Sequence, residues 1–146
     1  AAFAEDGLRR RWFRLPGSGA SYEHDFRVGG GETARATFRP ADAVPEKLGY
    51  RLWYLDIRAA QRIVYGYETV VDGRLRWTAL VTVRFAPAGT GGTDLEWTEQ
   101  VAFLKYEGNG DTDAAHLRGA TVLRLNGLEG VLDPVPPVTG AGVTVR

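Results

Sequence analysis

The stretch RLRWTALVTVRF, residues 74–85, repeats with a period of two. Leu75, Trp77, Ala79, Val81, Val83 and Phe85 are apolar, Arg74, Arg76, Thr78, Thr82 and Arg84 are polar, and Leu80 alone breaks the rhythm. Successive side chains of a strand point to opposite faces, so this pattern describes a strand with one dry and one wet face. A one-residue slip would turn every ring outward, so parity commits Leu75 and its partners to the core and Arg74, Arg76 and Arg84 to the outer face. Asp72-Gly73 immediately upstream has the chemistry of a type I′ turn and joins this strand to residues 62–71 as an antiparallel hairpin. After the turn APAGTGGT, the segment DLEWTEQVAF places Leu95, Trp97, Val101 and Phe103 on one face, with Glu99 among them.

Three further strands are read at YEHDFRV, ETARATF and YRLWYLDI, the first two separated by Gly29, Gly30 and Gly31. Those glycines loosely match a dinucleotide fingerprint, but that motif must open a helix, and here it separates two strands. A bulge or tight turn needing positive φ explains them instead. From Asp111 the period changes: Leu117, Thr121, Leu125, Leu128 and Leu132 recur every three to four residues behind capping candidates Asp111, Thr112 and Asp113, and Pro134 ends the helix. A shorter apolar-periodic helix is expected over residues 1–13, whose Arg9, Arg10 and Arg11 read as a solvated basic run. Strands followed by a covering helix make an α+β class.

The chain's 146 residues suit one domain, assigned to residues 1–133, with residues 134–146 as a proline-rich linker and tail strand completing it. Lys plus Arg and Asp plus Glu are 18 each, so no global field favours nucleic acid. No apolar run reaches the roughly 20 residues of a membrane span. Without cysteine there is neither disulfide nor thiolate chemistry, which suits a cytoplasmic setting, and with only His24 and His116 as imidazoles neither a metal site nor a cofactor is expected.

Taken in order, RRRWF, HDFRVGGGE, YLDIRAAQRIVYGY, VTVRFAPAGTGGTDLEWTEQ and LNGLEGVL are similar to the SRPBCC (START-like, helix-grip) superfamily. They most resemble the group named after the activator of the heat-shock-protein-ninety ATPase. The resemblance covers nearly all of residues 1–133. It implies a seven-stranded curved antiparallel sheet gripping a long C-terminal helix, with an apolar cavity between them. It further implies a leading strand, which residues 138–146, ending in GAGVTVR, would supply from the other end as in a circular permutant, in the same chain or by a strand swap within a homodimer.

Within such a cavity, the parity of Glu99 makes it the candidate catalytic group, since a carboxylate held among apolar neighbours suits general acid or base work. Pairing with an arginine such as Arg27 is the structural alternative. Phe26, Trp53, Tyr65, Tyr67, Trp77 and Trp97 are the candidate ligand-binding rings, beside Glu99, with core filling as the alternative. Binding of a small hydrophobic or aromatic ligand is the leading expectation. A cyclase- or aromatase-like enzyme using Glu99 with Tyr65 or Tyr67 comes second, and a chaperone-interacting module third.

Overall fold

The computed structural model describes residues 1–39, 44–89, 91–106 and 109–132. Six antiparallel strands follow in chain order, β1 Ser18–His24, β2 Gly31–Phe38, β3 Glu46–Arg58, β4 Arg62–Val71, β5 Arg74–Pro87 and β6 Thr93–Phe103, flanked by α1 Asp6–Trp12 and α2 Asp111–Leu132. Their order across the sheet is β1-β2-β3-β4-β5-β6, a meander that short turns make possible. At the β4–β5 turn Asp72 and Gly73 have φ of 50° and 75°, as a type I′ turn requires, and Val71 faces Arg74.

Parity selects the inner face. Leu52, Tyr67 and Ala79 form one row across β3, β4 and β5, and Tyr54, Tyr65 and Val81 the next, all of them buried. Val81 in turn faces Glu99 on β6. α2 covers this face through Leu117, Thr121 and Leu128, while α1 adds Trp12 and Phe13 at its side. The result is the expected α+β helix-grip arrangement. No helix among the described residues is long and apolar enough to cross a membrane. The tail strand, residues 138–146, and the linker, residues 134–137, lie outside the described residues.

The alternation of β5 fails in one place. Thr69 faces Trp77 and Val70 faces Leu75, leaving Arg76 as an extra residue. Such a bulge reverses parity. Upstream of Trp77 the pattern therefore inverts: Leu75, expected inward, is 39% exposed, and Arg76, expected outward, reaches the Asp113 carboxylate on α2 at 3.1 Å. From Trp77 to Phe85 the predicted register stands, and Arg74 and Arg84 are exposed. The glycine run also differs from expectation. Gly29 alone has a positive φ, 79°, whereas Gly31 answers to space, because a Cβ there would lie 2.2 Å from the Leu52 carbonyl oxygen. The first helix is shorter than its pattern, since residues 1–4 form a turn in which the Ala2 carbonyl accepts a 2.8 Å hydrogen bond from Trp12 Nε1. Leu132, expected on the inner stripe of α2, is exposed.

Candidate functional site

The inner face is not a plain apolar wall. Glu99 lies there as its parity requires, and two hydroxyls donate to it: Tyr67 Oη to Oε1 at 2.6 Å and Thr121 Oγ1 to Oε2 at 2.9 Å. Trp77 Nε1 donates to Tyr67 Oη at 3.3 Å, so strands β4, β5 and β6 and helix α2 share one hydrogen-bonded chain. Arg27, the alternative partner, instead pairs with Asp25 at the surface, 2.8 Å away. Burial, reinforced by Glu99, pushes the Tyr67 phenol well above its ordinary pKa, so Tyr67 remains a donor. Tyr50 and Tyr65 are raised as well, with burial as the largest cause.

Arg124 of α2 enters the same space. Its guanidinium carbon lies 5.3, 5.7 and 5.9 Å from the ring centres of Phe13, Tyr50 and Tyr67, within cation–π range. Trp97 stands edge-on to Tyr65, their centres 6.1 Å apart. The indole nitrogen of Trp97 and the hydroxyl of Thr69 are buried and have no hydrogen-bond partner among the described residues.

A second polar group lies under α1. Arg9 Nε and Nη2 bond to the two oxygens of Glu32 at 2.9 and 2.6 Å, with both side chains almost wholly buried. Tyr22 Oη also donates to Glu32, and the Arg9 guanidinium lies over Trp12 and Phe13 at 4.1 and 4.6 Å. Burial opposes the Arg9 charge, but Glu32 outweighs it and holds the pKa above the usual arginine range. His24 Nε2 lies 3.0 Å from Tyr54 Oη beside this pair, and burial lowers its pKa.

Of the residues singled out by sequence, the fold brings together Tyr65, Tyr67, Trp77, Trp97 and Glu99. Phe26 sits toward the α1 side, its ring 5.0 Å from Tyr54 and 6.0 Å from His24. Trp53 does not join them. It alternates with the buried Leu52 and Tyr54, so it lies on the opposite face, 38% exposed, with its indole over Gly66. The basic run is also corrected: Arg10 and Arg11 are exposed, but Arg9 is buried. Its helical spacing to Trp12 and Phe13 carries that signal. Glu32 and Arg124 were not singled out, although Glu32 shares parity with Ala34 and Ala36, and Arg124 is one helical turn from both Thr121 and Leu128.

Two surface hollows of about 450 Å³ lie elsewhere, one near Arg62 and Arg84 at the ends of β4 and β5, the other on the outer face around Trp53, Leu55 and Leu80. No three His, Asp or Glu side chains among the described residues converge as a metal would need.

Residues 1–129 match the family model described as Activator of Hsp90 ATPase homolog 1-like protein. A crystal structure of a Rhizobium loti protein is 35% identical, with a TM-score of 0.69, over 89% of this chain and 83% of that one. An uncharacterized Rhizobium leguminosarum protein is also 35% identical, with a TM-score of 0.71 over 90% and 82%. A Rhodobacter sphaeroides protein, 20% identical with a TM-score of 0.53 over 91% and 78%, shares the fold alone. No curated protein matches the chain.

Proposed function

Because the chain belongs to the Activator of Hsp90 ATPase homolog 1-like family, we propose that it binds a small aromatic or hydrophobic molecule between the concave sheet and α2. Fold membership does not choose a ligand, so the reading rests on the site. The observation that carries it is the buried indole nitrogen of Trp97, which has no hydrogen-bond partner among the described residues and stands on a ring-rich inner face. A buried donor without an acceptor costs about 1–3 kcal/mol. A flat guest with an acceptor would offset that cost while burying its own apolar surface against Tyr65, Tyr67, Trp77 and Trp97. The family's name for a chaperone activator stays with the family, and the absence of cysteine favours a cytoplasmic setting.

The 2.6 Å bond between Tyr67 and Glu99 supports a second reading, a cyclase-like enzyme in which this pair moves a proton on a folded substrate. Native mass spectrometry of the full chain purified from cells tests the binding reading and reports a homodimer in the same spectrum. A small mass released on denaturation, or saturable uptake from a panel of planar aromatic and fatty compounds, is the expected result. A bare protein that takes up no member of the panel would overturn it.

A further inference from the structure

We propose that the site selects small planar carboxylates and that Arg124 holds their acidic end. This rests on the binding reading above. Arg9 and Arg124 both enter this interior, and they are spent differently. Arg9 uses its fork on both oxygens of Glu32. Arg124 touches the rings of Phe13, Tyr50 and Tyr67, and among the described residues it makes no hydrogen bond and no ion pair. Cation–π attraction draws on the charge of a guanidinium and does not by itself spend its five N–H donors.

The carboxylate that acts on Arg124, Glu99, does not serve as its partner. Each Glu99 oxygen already accepts a hydroxyl, from Tyr67 and from Thr121. Burial works against the charge on Arg124, yet the net shift is upward, with the Glu99 carboxylate among its causes, so the guanidinium stays ionised. Nearby, the hydroxyls of the buried residues Tyr50 and Tyr65 make no hydrogen bond to a described residue and remain protonated donors. A fork of N–H groups flanked by phenol donors and bounded by rings matches a carboxylate on a flat body. One unspent positive charge answers one negative charge.

The test compares 2-naphthoate with its neutral isostere 2-naphthamide, titrated calorimetrically at pH 7 against the full chain, Arg124→Gln and Arg124→Lys, each checked for folding by circular dichroism. Charge-assisted bonds to a half-buried guanidinium predict naphthoate binding at least about tenfold tighter than naphthamide in the parent protein. That ratio falls to about one in Arg124→Gln and is intermediate in Arg124→Lys, which keeps the charge but loses the fork. Equal binding of acid and amide by the parent would overturn the inference and leave the binding reading standing. Binding of neither would overturn both. A preference that survives in Arg124→Gln, or in Arg124→Lys should the glutamine variant not fold, at the parent's full size would remove Arg124 as the anchor.

Discussion

At the scale of single residues, Tyr67 is the joint of the inner hydrogen-bonded chain, donating to Glu99 and accepting from Trp77. Tyr67→Phe leaves Glu99 with one donor and the Trp77 indole without an acceptor, and should cost about 1–3 kcal/mol in urea denaturation. His24 gives a pH signature. Burial lowers its pKa below the ordinary 6.5, so in the window between the folded value and 6.5 the unfolded chain binds more protons. Stability therefore rises with pH through that window, and the contribution present above 6.5 is lost as pH falls through the folded value. In His24→Gln this part of the pH dependence should vanish, as denaturation midpoints for the two proteins between pH 5 and about 8 would show. Glu99 was legible because strand parity ignores chemistry: it alternates with Trp97 and Val101 whatever its charge. Arg124 was not, although positions 121, 124 and 128 share a helical face, because a charge on an apolar stripe is ordinarily assigned to solvent.

At the scale of elements, α1 is a short helix of seven residues whose Glu5 cap makes no side-chain hydrogen bond. Too short to be stable alone, it is held by what it buries. Arg9 is the polar part of that contact, beside Trp12 and Phe13. Arg9→Met would leave Glu32 buried without its cation and should cost about 3–5 kcal/mol, whereas Arg9→Met with Glu32→Met should recover much of the loss. Chemical denaturation of the two variants checks this, and equal losses in both would mean that packing, rather than the unpaired charge, carries the cost. The β4–β5 turn could be read from Asp72-Gly73 because its chemistry is local. The bulge at Arg76 could not, since it is set by how β5 meets β4 and by the Asp113 carboxylate arriving from α2, thirty-seven positions later in the chain.

At the scale of the whole molecule, a meander of strands and two helices enclose one inner face that combines rings, a buried ion pair and a ring-stacked arginine. Alternation and helical spacing made the sheet, its cover and the position of Glu99 readable. The polar character of the interior was hidden because it comes from residues that meet only after folding: Arg9 with Glu32, Thr121 with Glu99, Arg124 with Tyr50. The four tryptophans report on separate places, Trp12 under α1, Trp53 on the outer face, and Trp77 and Trp97 on the inner face. Titration of the full chain with 2-naphthoate and 2-naphthamide, followed through the indole N–H resonances by NMR, tests the central claim most directly. The account predicts that the Trp97 resonance moves most, as its free donor gains a neighbour, that Trp77 follows, and that Trp53 stays in place. Movement of Trp53 with Trp97 unmoved would put binding on the outer face and contradict it.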